Sequence, residues 1–133
     1  MVILLFLGLD DNDNCYIFNG TWVRDFRGPI YTNMTCPTMP VSKNCGKHGK
    51  QMDYVNWRWK PQGCDMARFE PQLFLNIVQG KTLAFAGDSM GRNQMESLLC
   101  LLSQVSKQYL AMPFIDNGCF ITPRLCIKMM HAP

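Results

Sequence analysis

The sequence is poor in the residues that hold metals or act as bases. It has two histidines, His48 and His131, and no Cys-x-x-Cys pair, so a zinc site is poorly supported. Charge is scarce too: 17% of residues are charged, and the net charge of +3 comes without a basic run. That thin, dispersed charge excludes the electrostatic footprint of a nucleic-acid binder. Long apolar runs are also missing. The opening MVILLFLGLDD has about eight apolar residues before Asp10, where a membrane span needs roughly 20. It lacks the basic start and small-residue cleavage site of a signal peptide. Residues 1–14 are therefore expected to be the remnant of a longer N-terminus, with a buried strand as the alternative. No internal repeat occurs.

What is present argues for a folded, secreted type of chain. A length of 133 residues with 47% hydrophobic content is enough to bury a core and argues against disorder. Seven cysteines (Cys15, Cys36, Cys45, Cys64, Cys100, Cys119 and Cys126) are dispersed at long spacings. Such dispersal suits a disulfide framework in an oxidising compartment. The sequons Asn19-Gly20-Thr21 and Asn33-Met34-Thr35 point the same way. The odd count leaves one thiol free or paired outside the chain.

Three stretches differ in texture. From Cys15 to Pro71, glycine and proline interrupt the chain every few residues, with aromatics between them, so loops and short strands are expected. From Glu70 to Ser103 the pattern becomes regular. Phe74, Ile77 and Val78 share a helical face, and Gly80 is placed to cap that helix. Thr82–Ala86 is a short apolar run that predicts a buried parallel strand. Met95, Leu98, Leu99 and Leu102 then stand at helical spacing. Helix, strand, turn and helix make an α/β unit. From Val105 to Pro133 no period is sustained.

The turn at Gly87-Asp88-Ser89 carries the candidate chemistry. A serine hydroxyl is a weak nucleophile until a base takes its proton and donors hold the developing oxyanion. A serine between a buried strand and a helix start has such donors at hand in the backbone N–H groups of Met90 and Gly91, aided by the helix dipole. Gly87 allows the sharp turn. The competing reading is that Ser89 or Asp88 is only a helix cap. Trp57-Arg58-Trp59 has two readings as well: a sugar-stacking surface, or two rings filling a core from one strand face with Arg58 opposite. Core filling is the expectation for the tryptophans, and a plain loop position for His48.

The string GKTLAFAGDSMGRNQMESLLCLLSQ resembles the plant-specific trichome-birefringence-like family, whose members carry GK…F.GDS..RNQ..SLLCLL. Upstream, FNGTWVRD, GPIYTNMTCP and NCGKHGK…DYVNWRWKPQGCDMARFEPQLFL are similar to the family's cysteine-rich region in order and spacing. The likeness runs from Cys15 to Gln104. Met90-Gly91 fills a variable pair, and Lys50-Gln51-Met52-Asp53 replaces the commoner Gly-Arg-Pro-Asp. The resemblance implies an α/β three-layer fold of GDS-esterase (SGNH) type, begun within residues 72–104 and preceded by a disulfide-rich region at 15–71. It implies acetyl transfer through acetyl-Ser89 to a cell-wall polysaccharide of xylan, xyloglucan, mannan or pectin type. The donor would be acetyl-CoA or another acetylated carrier, with no bound cofactor. Gly87, Asp88, Arg92 and Asn93 belong to the motif: Arg92 can orient an oxygen and Asn93 can donate to the oxyanion, or both can fix the turn. The resemblance further implies a Golgi lumenal location, with membrane attachment through an anchor that full-length type II relatives carry.

The family completes its site with a C-terminal Asp-x-x-His, and here no aspartate has a histidine three residues later. Resemblance pairs Cys15 with Cys64 and Cys36 with Cys100, leaving Cys45 over. An incomplete domain with little turnover is therefore expected. Gln104-Val105-Ser106 can be encoded as CAG-GTA-AGT, an exon end followed by a splice-donor consensus. Residues 105–133 are accordingly expected to be translated intron with Cys119 and Cys126 accidental, a divergent genuine segment being the alternative. An acetyl esterase of the same chemistry, a non-catalytic glycan-binding module stapled by disulfides, and a product without a stable fold are the competing functions.

Overall fold

The computed structural model describes residues 15–105, 119–121 and 125–130. The apolar start at 1–14, His131 and most of 105–133 lie outside the described residues. Two compact units form, one from residues 15–29 and 51–69, the other from Ile30–Lys50 and the chain from Glu70 onward.

Breakers and aromatics in the first unit give a two-stranded antiparallel sheet. Strand β1 (Tyr16–Arg24) pairs with β2 (Trp57–Gln62), with Trp22 opposite Trp59 and Arg24 opposite Trp57. A bulge in β1 lies between Tyr16 and Gly20, and Gly20 is where the two backbones come closest. A Cβ there would sit 2.3 Å from the Lys60 carbonyl oxygen, so no other residue fits. Trp59 steadies the bulge, its Nε1–H donating to the Ile17 carbonyl at 2.9 Å. Cys15 and Cys64 form a disulfide that joins the ends of the ribbon.

Trp57 and Trp59 do share a face with Trp22, but they do not fill a core. Trp22 is 64% and Trp57 39% exposed, and among the described residues of this unit only Pro61 is buried. Trp22 meets Trp59 edge-on at 5.6 Å, and the Arg24 guanidinium lies 5.4 Å from the Trp57 ring centre. A two-stranded ribbon has no second layer to bury an aromatic face, and such ribbons need other support in water. The disulfide and the ion pairs Arg58–Asp65, Arg24–Asp53 and Arg27–Asp25 supply it.

The second unit holds the α/β arrangement. Helix α1 (Pro71–Ile77) begins on a proline, whose fixed φ suits a first helical turn. Strand β3 (Lys81–Ala86) follows, then helix α2 (Ser89–Leu102), β4 (Cys119–Ile121) and β5 (Leu125–Met130). The sheet order is β3-β5-β4, with β3 parallel and β4 antiparallel to β5. Helix α2 thus forms part of the crossover between two parallel strands, the connection such strands require. It packs on β3, β5 and α1. Strands β4 and β5 lie within the stretch that showed no sustained period; Ile127 is completely buried, and Cys126 is disulfide-bonded.

The core gathers Phe74, Leu75 and Val78 of α1 and its end, Met95, Cys100 and Leu102 of α2, and Ile127. Complete burial of Phe74 and Leu75 is worth about 1.5–3 kcal/mol each. Ile77, expected on the buried face, is 37% exposed, and Leu75 takes its place. The helix is only two turns long and its buried side follows Phe74, Leu75 and Val78. Leu98 and Leu99 are half-buried rather than core.

The disulfide Cys36–Cys100, both residues 3% exposed, fastens the loop segment Ile30–Lys50 to α2. Its sequence separation of 64 makes the restriction of the unfolded chain large. Replacing both cysteines by serine is expected to lower stability by about 2–4 kcal/mol, read as an earlier urea midpoint. An unchanged midpoint would show that the loop adds nothing to this unit. The Arg27 guanidinium beside Asp25 holds that carboxyl well below its ordinary value of 3.8, and Arg58 lowers Asp65 similarly. A depressed carboxyl stabilises the fold fully above its ordinary value and loses that contribution as pH falls through the folded one. A carboxyl-carbon NMR titration should place the Asp25 midpoint below 3.8, and Arg27→Gln should move it back up.

Candidate active site

Strand β3 ends at Ala86 and α2 begins at Ser89, so two residues must redirect the chain. Gly87 does this at a φ of 148°, a torsion that side-chain-bearing residues rarely adopt. A Cβ at Gly87 would meet nothing within 4 Å, so the requirement is torsional rather than one of space. Asp88 is the N-cap, its Oδ1 accepting from the Met90 N–H at 2.9 Å. Its carbonyl accepts from the Arg92 N–H at 3.1 Å. Of the two cap candidates, Asp88 takes the place. Ser89 is left as the first helical residue with an exposed side chain.

This cap changes the set of oxyanion donors. The Met90 N–H, expected to be available, is committed to Asp88. The N–H groups of Ser89 and Gly91 have no acceptor among the described residues. They stay open at the positive end of α2, where developing negative charge is favoured.

Asn93 lies one turn beyond Ser89 on the same side of α2. Its Oδ1 and Glu96 Oε2 both receive Lys43 Nζ. Lysine only donates, so the amide oxygen must face it. The Asn93 Nδ2–H groups therefore remain as donors, with no acceptor among the described residues. Helical side chains lean towards the N-terminus, so this amide leans towards Ser89. Arg92 is exposed and forms no side-chain hydrogen bond or ion pair among the described residues.

The same flank of α2 continues into a strap of contacts. Tyr31 and Ser97 share a hydroxyl hydrogen bond at 2.9 Å, Cys100 is bonded to Cys36, and Gln104 Nε2 donates to the Thr35 carbonyl at 3.1 Å. Sequence reasoning missed Lys43, Tyr31 and Gln104 as partners in this region. Lys43 is 50 residues from Asn93, and no local pattern announces such a partner.

His48 bonds the Val41 carbonyl at 3.2 Å through Nε2 and makes no hydrogen bond to Ser89. Asn19 is exposed on β1 with its amide donating to Gln62 at 2.7 Å, and Asn33 is exposed in a turn. Cys45 is a free, half-buried thiol. Among the described residues, no group of three His, Cys, Asp or Glu side chains can hold a metal ion. No helix among them is long and apolar enough to cross a membrane.

Comparison with known proteins places this geometry. Residues 13–65 match the family described as PMR5 N terminal Domain, and residues 66–122 match the GDSL/SGNH-like Acyl-Esterase family found in Pmr5 and Cas1p. The chain is 57% identical over 103 residues to xyloglucan O-acetyltransferase 4 of Populus trichocarpa, covering 77% of this chain and 24% of that relative. It is 58% identical over 90 residues to xyloglucan O-acetyltransferase 2 of Arabidopsis thaliana, covering 67% and 22%. It is 51% identical over 92 residues to protein trichome birefringence-like 18 of Arabidopsis thaliana, covering 68% and 17%. The chain belongs to the trichome birefringence-like family. As a trichome birefringence-like chain it spans about a quarter or less of the length of these relatives. The boundary between its two family matches, at residues 65 and 66, falls just after the Cys15–Cys64 disulfide. The esterase match runs to residue 122, past Gln104, where the recognisable motif string ends.

Gly87→Ala is expected to cost about 1–3 kcal/mol through its backbone torsion alone, and Asp88→Ala about 1 kcal/mol through the lost cap. Both are read from denaturant melts. A neutral Gly87→Ala would show that the turn has no torsional requirement.

Proposed function

We propose that these residues form the nucleophile-bearing part of a polysaccharide O-acetyltransferase that works through an acetyl-serine, within a three-layer esterase fold. The observation that carries this is Ser89 at the start of α2, exposed, relieved of capping duty by Asp88, with open N–H donors beside it. In the first half-reaction the Ser89 oxygen adds to the acetyl carbonyl and its proton passes to a base. The Gly91 N–H and Asn93 amide receive the oxyanion, and collapse expels the donor's leaving group with a proton. In the second, an acceptor hydroxyl attacks acetyl-Ser89, loses its proton to the same base and frees the serine. Arg92 is free to orient the donor or acceptor.

The base is the missing part. No aspartate in the sequence has a histidine three residues later, and we propose that an Asp-x-x-His segment outside these residues supplies it. The 133-residue chain alone is therefore expected to turn over little or nothing. The acceptor class follows from relatives named as xyloglucan O-acetyltransferases, which favours xyloglucan over xylan, mannan or pectin. The donor is an acetylated carrier such as acetyl-CoA. Two disulfides and the exposed Asn19 and Asn33 sequons support a Golgi lumenal setting with glycosylation at those positions. The family description as acyl-esterase supports a second reading, in which water replaces the sugar hydroxyl.

The test is to join residues 1–104 to the remaining C-terminal length of the poplar relative and assay xyloglucan with a labelled acetyl donor. Label should enter the polysaccharide, and Ser89→Ala should lower transfer by at least about a thousandfold. Free acetate without acetylated xyloglucan would favour the esterase. Transfer that survives Ser89→Ala would overturn the nucleophile assignment.

A further inference from the structure

We infer that Lys43 is a positioning residue for acetyl transfer, holding the Asn93 amide in the orientation that lets it donate towards Ser89. This rests on the reading that Ser89 carries the acetyl group, and adds what keeps an oxyanion donor facing the right way.

A primary amide has two ends of similar shape and opposite chemistry. A half-turn about its last bond exchanges an acceptor for two donors. An exposed asparagine beside a nucleophile therefore helps only when something fixes which end it presents. Asn93 is exposed, and its neighbour on the same helix works against donation. Glu96 stands at i+3, within reach of Asn93 on a helix surface. A carboxylate only accepts, so Glu96 alone would draw the Asn93 N–H groups to itself and turn the amide oxygen the other way. An oxygen facing Ser89 would oppose a developing oxyanion instead of holding it.

Lys43 reverses that preference. Its ammonium donates both to Asn93 Oδ1 and to Glu96 Oε2. One group thus satisfies the competing carboxylate and takes the amide by its oxygen. Glu96 in turn holds the ammonium in an ion pair, the two side chains being 39% and 21% exposed. Charge-assisted hydrogen bonds of this kind outweigh neutral ones. The charges of the pair cancel, so its effect on the site is one of orientation rather than of field.

The backbone behind Lys43 is fixed as well. Lys43 ends a short 3-10 helix, Val41–Lys43, and its N–H donates to the Pro40 carbonyl at 2.9 Å. The His48 Nε2–H donates to the Val41 carbonyl at 3.2 Å. Tyr31–Ser97 and Cys36–Cys100 tie the same segment to α2. A side chain delivered from a pre-ordered loop loses less entropy in making its contacts. None of these ties uses the Lys43 side chain, so replacing it leaves the segment in place.

The experiment has two arms. In the whole 133-residue chain, NMR contacts from the Asn93 amide protons should run to the Ser89 side chain. In Lys43→Met they should move to the Glu96 side chain, with the α2 backbone amide shifts in place. Contacts that Lys43→Met leaves unmoved would overturn the inference. In the protein joined to the poplar relative's C-terminal length, Lys43→Met should lower kcat about tenfold or more with KM little changed. Lys43→Arg, which keeps donors for both oxygens, should retain most transfer. Removing the competing acceptor too, by combining Lys43→Met with Glu96→Ala, should recover part of the loss. In an Asn93→Ala background, Lys43→Met should change kcat by less than about twofold, because the group it orients is gone. Lys47→Met, at an exposed lysine of the same loop, should leave transfer unchanged. A loss that persists in full in the Asn93→Ala background, or that falls on KM, would overturn the inference alone. Transfer that survives Ser89→Ala would overturn the acetyl-serine reading and the inference with it.

Discussion

The disulfide between Cys36 and Cys100 is the constraint on which the second unit depends. Cys36 is the single buried residue of Ile30–Lys50, so this segment has almost no apolar surface with which to hold itself in place. The covalent bond anchors it to α2, and the weaker contacts can then form at low entropic cost. Tyr31 reaches Ser97, Thr35 meets Gln104, and Lys43 gathers Asn93 and Glu96. Helix α2 is gripped on two sides, by the sheet and α1 through its apolar residues and by the strap through its polar ones. Its N-terminus, and Ser89 with it, is set by that grip.

The turn divides labour among neighbouring residues. Gly87 provides a torsion, Asp88 closes the Met90 N–H, and the hydroxyl of Ser89 has no hydrogen-bond partner among the described residues. Had the serine been the cap, its oxygen would have been tied to the backbone and less free to attack. Lys43 draws the Asn93 amide oxygen towards itself, which leaves the amide N–H groups without an acceptor among the described residues. None of this supplies a base.

Much of the site was legible in the sequence because it is local. The apolar run Thr82–Ala86, the tight Gly87-Asp88-Ser89 turn and the helical spacing after it fix β3, the turn and α2 from near neighbours. Strand β3, expected to be buried, is nevertheless exposed at both ends and only half-buried at Leu83, Ala84 and Phe85. Which residue caps the helix was not legible, since serine and aspartate are both good caps and only the backbone angles decide. The tryptophans misled for a different reason. Alternation shows which residues share a strand face but not whether anything covers that face, and here Trp22 and Trp57 stay exposed. Ile77 and Leu75 exchanged roles because two helical turns leave the direction of the buried stripe loosely defined. Strands β4 and β5 showed no period, being three and six residues long, too short for alternation to stand out. The Lys43 network joins residues far apart in the chain, which one sequence cannot reveal.

The central claim is that Ser89 carries the acetyl group. Its most direct test is peptide mass spectrometry of the joined protein, quenched in acid during turnover with a labelled acetyl donor. The account predicts a labelled acetyl group on the peptide containing Ser89, absent once acceptor has been added in excess and the donor consumed. Label on another residue, or turnover with Ser89 never modified, would contradict it.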